Sequence, residues 1–293
     1  MKHKFTIGDA INYLGMVFIA IITLYPFINV VAISLNDAMD TLKGGIYIFP
    51  RVFTLRNYQE VFKNKALLIA TRTSVLRTVS GTVLGVISTT MVAYVISRKD
   101  FFLHRIVSKM FAVTLYVSGG MIPSYLLFRK LGLINTFWVY IIPGIIGVYY
   151  IYIVRSFIDG LPDALQESAQ IDGANDWTIF WRIIFPLCKP VIATIALYYA
   201  VGQWNSWFDT YMFASRAKHL TTLQYELMKI LTAASAATTN AVQLNKTMRP
   251  GATVSPESMR MAITIVATLP ILVVYPFLQK YFVQGMTLGA VKD

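Results

Sequence analysis

Residues 162–186 decide the fold, with the sequence Pro162-Asp-Ala-Leu-Gln-Glu-Ser-Ala-Gln-Ile-Asp-Gly173-Ala-Asn-Asp-Trp-Thr-Ile-Phe-Trp-Arg-Ile-Ile-Phe-Pro186. The first half of this stretch is polar and acidic, whereas the sequence on either side is long and apolar. Pro162 suits the first turn of a helix, because the N–H that it lacks has no intrahelical partner there. Gly173 predicts the end of that helix, since glycine takes the left-handed conformation easily. We therefore expect a short polar helix between two membrane spans.

A second short helix is predicted to follow Gly173. Asn175 or Asp176 is suited to cap its N-terminus. Pro186 is expected to stop it, because proline inside a helix removes a hydrogen bond and clashes with the preceding turn. The two helices would form a compact helix–turn–helix, and the alternative interpretation is an amphipathic linker between spans. Large apolar residues recur at helical spacing in this second helix: Trp177, Phe180, Ile183 and Ile184.

The composition is that of a membrane protein. Of 293 residues, 56% are hydrophobic and only 14% are charged, and the mean hydropathy is +0.58. A helix needs about 20 apolar residues to cross a bilayer core of about 30 Å. We predict an all-α polytopic inner-membrane protein whose residues 1–293 form one domain, with outer loops at 36–76 and 214–260. Six apolar stretches are predicted spans: 11–35, 77–97, 107–128, 137–158, 187–213 and 261–283.

The central stretch resembles a known signature. This signature is the "EAA" motif of ABC-importer membrane subunits, which reads E-A-A, then G, then I-x-L-P. The chain resembles it with Glu-Ser-Ala at 167–169, followed by Gly173, Ile183 and Pro186. Two positions depart from it, with Ser168 for an alanine and Phe185 for the leucine. In that family the segment is a cytoplasmic coupling helix, between spans 4 and 5, that sits in a cleft of the ATPase. The resemblance implies that role for Glu167, Ser168, Ala169, Asp172, Gly173, Ile183 and Pro186.

The resemblance extends along the chain. Residues 50–58 and 129–136 resemble loops of sugar-importer permeases, and the tail 285–292 resembles the branch that serves complex and uronate-containing oligosaccharides. It implies a permease that forms half of a translocation path for an oligosaccharide in a bacterial membrane. The implied partners are a second homologous permease, two ABC ATPases that use ATP and Mg, and an extracellular sugar-binding lipoprotein toward which the loop 214–260 reaches. No cofactor is expected on this chain itself.

Orientation follows from the coupling segment. The short basic loop around Arg98, Lys99, Arg105 and Lys109 is expected to face the cytoplasm under the positive-inside rule. That rule alone does not orient the chain, because the segments predicted to lie outside carry more Lys and Arg than the inner ones. A motif that meets an ATPase must be cytoplasmic, which places both termini inside.

Two spans carry features of a transport path. The third contains a backbone break at 118–123, which lipid does not tolerate unless it faces protein or water. The fifth carries amides and indoles in its outer half, where polar groups are costly unless they face a cavity or a partner. An interfacial belt of aromatic residues is the alternative interpretation. The candidate path residues are Gln203, Trp204, Asn205, Trp207, Asp209 and Tyr211.

Two glycines in the second predicted span indicate close packing against another helix. Gly81 and Gly85 form a small-residue pair in the second span that suits close approach of another helix.

Several functions are disfavoured. The chain has no G-x-x-x-x-G-K-[ST] phosphate loop, so it is not expected to be the ATPase or another enzyme. Its three histidines have no metal-ligand spacing. The net charge of +12 fits membrane lipid and acidic ligands better than nucleic acid. The surplus of basic residues in the predicted outer segments, together with the tail, favours an acidic oligosaccharide, and a neutral oligosaccharide is the alternative. An ion-gradient-driven secondary transporter, a permease for another solute and a membrane sensor or scaffold remain the alternatives.

Overall fold

The computed structural model describes residues 6–238 and 255–290, and helices dominate this part of the chain. Short 3-10 turns lie at 137–140, 142–144 and 218–220. The α-helices are α1 (Ile7–Ser34), α2 (Ala38–Thr41), α3 (Arg56–Lys63), α4 (Lys65–Ser97), α5 (His104–Tyr116), α6 (Met121–Lys130), α7 (Val148–Ile158), α8 (Ala164–Ile171), α9 (Asp176–Ile179), α10 (Phe185–Leu187), α11 (Lys189–Asn205), α12 (Phe208–Phe213), α13 (Leu223–Thr238) and α14 (Pro256–Ala290).

Between three and five membrane spans are supported, where the sequence predicted six. Among the described residues, three helical segments are long and apolar enough to cross a membrane: α1, α4 and Glu257–Val274 of α14. Two bent pairs raise the number to five if each counts as one span. One pair joins Phe137–Gly144 to α7 with a bend of 47°, and the other joins Asp176–Leu187 to α11 with a bend of 82°.

The predicted third span, 107–128, is interrupted. α5 ends at Tyr116 and α6 begins at Met121, and Gly120 between them has a φ of +82°. The break that the sequence indicated in this span is therefore present. With 13 and 10 residues, neither helix reaches the length of about 20 that one span needs.

Both predicted outer loops contain helices. The segment 36–76 includes α2, α3 and the first turns of α4, so α4 begins at Lys65 rather than near residue 77. The charges of Lys65 and Arg72 lower the hydropathy there without ending the helix. The segment 214–260 contains α13 and the start of α14, and its residues 239–254 lie outside the described part.

The chain divides into two compact units, the first of which comprises Met1–Leu68 and Glu226–Pro270. In this unit a polar network fixes the segment after α1. Asn57 is fully buried, and its Nδ2 donates to the carbonyl oxygens of Ser34 at 2.8 Å and Asn36 at 2.9 Å. Because buried carbonyl groups need partners, these bonds hold the predicted outer segment in one conformation.

The second unit comprises Ile69–Tyr225 and Ile271–Asp293. Its core brings α4 and α7 together with the stretch from α8 to α11. The coupling segment is therefore packed against two predicted spans through its buried residues. The completely buried members of this core include Ala93, Ile151, Val154, Ile179, Ile184, Cys188 and Ile195.

Pro186 does not end the second short helix, and this prediction is wrong. After α9 the chain forms a π-helical turn, Phe180–Ile184, in which the Phe185 N–H donates to the Phe180 carbonyl. Pro186 then lies in the first turn of α10, where its missing N–H leaves no hydrogen bond broken. The chain bends at Cys188 and continues as α11. The proline therefore shapes a bend rather than a stop.

Candidate functional site

α8 is the helix predicted at the start of the coupling segment. It is followed by Gly173, whose φ of +79° lies in the left-handed region. The Gly173 N–H donates to the Gln170 carbonyl at 3.0 Å, and the Ala174 N–H donates to the Ala169 carbonyl at 2.9 Å. The glycine-ended helix predicted from the sequence is confirmed.

The turn leads directly into α9, which begins at a predicted cap. Asn175 accepts a hydrogen bond on its side-chain oxygen from the Thr178 N–H at 2.8 Å. This bond satisfies one of the free N–H groups at the start of the helix. The helix–turn–helix is thus fixed locally by one glycine and one asparagine.

The predicted coupling residues divide between a buried and an exposed face. Ala169 is buried, and Ile183 and Pro186 are half-buried. Ile171 is 86% exposed and Trp177 is 60% exposed, although both are large and apolar. Acidic and apolar groups are therefore both exposed in this segment. The remaining coupling residues are exposed as well: Glu167, Ser168, Asp172 and Gly173.

The basic end of α4 binds the coupling segment. Arg98 donates from Nη1 to Gln166 Oε1 at 2.9 Å and from Nη2 to Asp100 Oδ2 at 2.7 Å, and Lys99 Nζ lies 2.9 Å from Asp163 Oδ2. The bond from Arg98 lowers the pKa of Asp100, and the bond to Asp163 raises the pKa of Lys99. The short basic loop and the coupling segment therefore lie at the same end of this unit.

The second unit also contains a cavity of about 360 Å³, which shares no lining residue with the coupling segment. Apart from the tyrosines, its polar side chains are those of Arg77, Gln203, Ser206 and Asp209. A few polar groups among aromatic side chains are typical of small-molecule sites, whose volumes are about 300–1,000 Å³. The aromatic lining consists of Phe128, Tyr140, Tyr150, Tyr198, Tyr199 and Phe213.

Arg77 is the buried charge of this cavity, with only 2% of its side chain exposed. Its Nη1 and Nη2 donate to the two carboxylate oxygens of Asp209 at 3.1 and 2.5 Å. Nε and Nη2 donate to Gln203 Oε1 at 3.0 and 2.9 Å, and Nη1 donates to the Ser206 carbonyl at 3.3 Å. The guanidinium carbon lies 4.4 Å from the centre of the Tyr140 ring. These bonds use all five N–H groups of the guanidinium.

The two glycines of the predicted packing pair meet side chains of α11. A Cβ atom on Gly81 would lie 2.7 Å from Gln203 Nε2, and one on Gly85 would lie 2.6 Å from Tyr199 Cε1. Atoms do not approach so closely, so a side chain at Gly85 would require the Tyr199 ring to move, and one at Gly81 would require the Gln203 side chain to move. The predicted close helix packing is confirmed, and it brings α4 against the cavity-lining face of α11.

Only two of the predicted path residues line the cavity, Gln203 and Asp209. Residues two apart on a helix point about 200° apart, so Gln203 and Asn205 cannot share a face. Asn205 is exposed and accepts a hydrogen bond from Gln224 Nε2 at 3.2 Å. The candidates outside the lining are Trp204, Asn205, Trp207 and Tyr211.

The model of the family described as "Binding-protein-dependent transport system inner membrane component" matches residues 81–288, which include the coupling segment and most of the cavity lining. The chain belongs to this family.

Two relatives from Bacillus subtilis (strain 168) align with this inner membrane component over nearly their full length. The "Protein LplC" is 36% identical over 97% of this chain and 94% of its own. The "Polygalacturonan/rhamnogalacturonan transport system permease protein YtcP" is 33% identical over 100% of both chains. A crystal structure of "a bacterial ABC transporter involved in the import of the acidic polysaccharide alginate" superposes with a TM-score of 0.84 and 27% identity, over 95% of this chain and 99% of that one.

Membership of the family confirms part of the sequence-based interpretation. The chain is the membrane permease component of an ABC transporter, and the ATPase is a separate subunit. The family is described as an inner membrane component, so the chain is an inner-membrane protein.

Sequence reasoning missed the central charge of this inner membrane component. Arg77 stood at the predicted boundary of the second span and was therefore not considered as a buried residue. Because α4 begins at Lys65, Arg77 lies well inside the helix. A usable signal was present, since Asp209 is an acidic residue inside another apolar stretch and opposite charges inside membranes tend to pair.

Proposed function

We propose that this chain is a permease subunit of an ATP-driven importer that takes up oligosaccharides delivered by an extracellular sugar-binding protein, a lipoprotein in the expected assembly. The observation that carries the proposal is the full-length similarity to a permease named for polygalacturonan and rhamnogalacturonan transport. The alginate importer that superposes on this chain supports it independently. A second, homologous permease would complete the path, and two ABC ATPases would supply the energy from ATP and Mg.

The topology proposed for this permease has six spans and cytoplasmic termini. α5 and α6 acting together as one broken span would complete the candidate spans. In the bent pair that ends with α11, only α11 would cross the membrane, because residues 176–186 belong to the coupling segment. The contacts of Arg98 and Lys99 with the coupling segment support a common cytoplasmic end, since a basic loop and an ATPase-binding loop are both expected there.

Coupling to the ATPases is proposed to run through α8. Its exposed face, with Glu167, Ser168 and Ile171, would sit in a cleft of the ATPase. A short turn at residues 172–175 joins α8 to α9, and α9, the π-helical turn and α10 then lead to the bend at Cys188 and to α11. Because this connection is short, a displacement of α8 would be transmitted to α11. ATP would then shift the path between inward-facing and outward-facing states, because the ATPase would contact α8 differently in each.

The substrate proposed is a complex or uronate-containing oligosaccharide. Two similarities support an acidic glycan, namely the pectin-type polymers in the name of one relative and the alginate transported by the superposable importer. The net charge of +12 would raise the local concentration of anionic ligands, although salt screens it beyond about 8 Å.

Uptake into proteoliposomes separates this function from the alternatives. The importer would be assembled from both permeases, the ATPases and the sugar-loaded binding protein. We expect labelled oligosaccharide to accumulate when ATP is supplied on the ATPase side and not when a proton or sodium gradient is imposed without ATP. Gradient-driven uptake without ATP would identify a secondary transporter, and uptake of a different solute class alone would reject the sugar assignment.

A further inference from the structure

The cavity beside Arg77 has a balanced internal charge. We propose that this cavity is a subsite for one uncharged sugar residue of the transported oligosaccharide. It would recognise the sugar by ring face and hydroxyl groups rather than by charge. The inference rests on the proposed function, and it adds a place on this chain where the substrate is held.

The size of the cavity limits what it holds. At about 360 Å³ it lies near the lower end of the range of about 300–1,000 Å³ for small-molecule sites. A long oligosaccharide does not fit in such a volume, whereas a single sugar residue does. The remaining residues of the oligosaccharide would extend beyond this chain.

Two tyrosines form a platform in this cavity. The rings of Tyr150 and Tyr198 are nearly parallel, with 9° between their planes and 5.8 Å between their centres. Tyr198 is 38% exposed, so its ring is accessible to a ligand. A pyranose presents an apolar face of C–H groups, and flat aromatic surfaces beside polar groups suit such a face.

Asp209 supplies a free hydrogen-bond acceptor. Its Oδ1 accepts from Arg77 and from the Thr210 N–H, whereas its Oδ2 accepts only from Arg77 among the contacts described. A carboxylate has about four acceptor sites, so one remains for a sugar hydroxyl. With 21% of its side chain exposed, Asp209 is open to the cavity that it lines.

The same groups disfavour a carboxylate in this subsite. Arg77 has no N–H group left for a uronate, because Asp209, Gln203 and the Ser206 carbonyl use all five. A uronate would also lie beside the carboxylate of Asp209, and like charges in a partly buried site repel. Any preference of the importer for acidic glycans would therefore arise outside this cavity.

A cavity-filling pair of variants tests the site directly. Gly202 lines the cavity, and a Cβ atom there would meet nothing within 4 Å, so Gly202→Leu fills the space without a clash at its first atom. Gly15→Leu is the matched control, because its Cβ position on α1 is equally open and lies outside the cavity.

Binding is measured by saturation-transfer NMR on the complete importer in nanodiscs, without binding protein. The probes are the neutral disaccharide galactobiose and its acidic counterpart digalacturonate. We expect galactobiose to give a signal with the wild type and with Gly15→Leu, and the signal to fall at least about tenfold with Gly202→Leu. An unchanged galactobiose signal in Gly202→Leu would overturn the proposal. So would a digalacturonate signal that Gly202→Leu abolishes while the galactobiose signal remains, because the cavity would then hold the acidic sugar.

Asp209→Asn tests the charge argument. It leaves the cation of Arg77 without a carboxylate, so the ratio of digalacturonate to galactobiose signal should rise at least about tenfold. An unchanged ratio in the folded variant contradicts the proposed charge balance. If this variant does not fold, the Gly202 and Gly15 pair still decides whether sugar occupies the cavity.

Failure of this inference is distinguishable from failure of the proposed function. ATP-driven oligosaccharide uptake that persists at the wild-type rate in Gly202→Leu would reject the subsite and leave the importer function standing. Absence of any carbohydrate uptake by the wild-type importer would reject the function itself.

Discussion

Arg77 carries a full positive charge inside a helical unit, and all of its hydrogen-bond acceptors come from residues 203–209. Asp209, Gln203 and the Ser206 carbonyl surround the guanidinium of Arg77, and Tyr140 covers one of its faces. Removing the Arg77–Asp209 ion pair from water costs free energy. What the pair contributes is a fixed geometry between α4, α11 and α12.

Arg77→Met should destabilise the protein by about 3–5 kcal/mol, because Asp209 would remain partly buried without its cation. The double variant Arg77→Met/Asp209→Leu should recover most of that loss, since it removes both charges together. Apparent unfolding free energies in detergent measure both effects.

Lys63→Met is the control for this prediction. Lys63 and Glu60 form an ion pair of 2.9 Å, but the lysine side chain is 69% exposed. An exposed pair contributes about 0–1 kcal/mol, so the control should be near neutral. Equal losses in Arg77→Met and Lys63→Met would contradict the structural role of the buried pair.

Gly85→Ala should cost about 1–3 kcal/mol, because its Cβ would lie 2.6 Å from a rigid tyrosine ring. Gly15→Ala makes the same chemical change where nothing lies within 4 Å. Thermal unfolding in detergent should show a lower midpoint only for Gly85→Ala. Similar midpoints for the two variants would mean that α4 and α11 do not pack as described.

α8 is the element on which coupling depends in the proposed function. Glu167→Lys reverses a charge on its exposed face, and Gly173→Val forces a β-branched residue to a φ of +79°. Both variants should lower ATP-driven uptake in proteoliposomes by about tenfold or more. The ATPases should meanwhile continue to hydrolyse ATP without transport or should dissociate from the complex.

Matched variants elsewhere separate coupling from strain. Gly132 has a φ of +70° and an open Cβ position, so Gly132→Val imposes comparable strain away from α8. Glu60→Lys is the corresponding charge reversal. Both should retain uptake within about twofold of the wild type. Loss of uptake in these controls equal to that in Gly173→Val and Glu167→Lys would count against the coupling role.

The elements predictable from the sequence were those with strong local signals. Gly173 and Asn175 act through their own backbone or neighbouring N–H groups, so their positions alone predict α8 and α9. The predicted helix stop at Pro186 was wrong because the π-helical turn before it accommodates the proline ring, which a regular helix does not. The cavity could not be predicted in full, because which faces of α4 and α11 meet depends on contacts between residues about 126 positions apart, such as Arg77 and Gln203.

The topology of the whole molecule leads to a labelling prediction. In a Cys188→Ser background, Ser168→Cys should react with an impermeant thiol reagent only from the cytoplasmic side. Lys43→Cys, whose lysine is 73% exposed in the predicted outer segment, should react only from the outside. Mass spectrometry after labelling of right-side-out and inverted vesicles measures both. Labelling of both positions from one side would reject the proposed orientation.

One measurement tests the central claim most directly, namely that this permease couples oligosaccharide uptake to ATP hydrolysis through its partners. ATP hydrolysis and the accumulation of labelled oligosaccharide are followed together in the same proteoliposomes, which contain the complete importer. Adding sugar-loaded binding protein should raise both rates together, and neither should rise with binding protein alone in the absence of ATP. Accumulation without hydrolysis, or hydrolysis that never brings oligosaccharide inside, would contradict the claim.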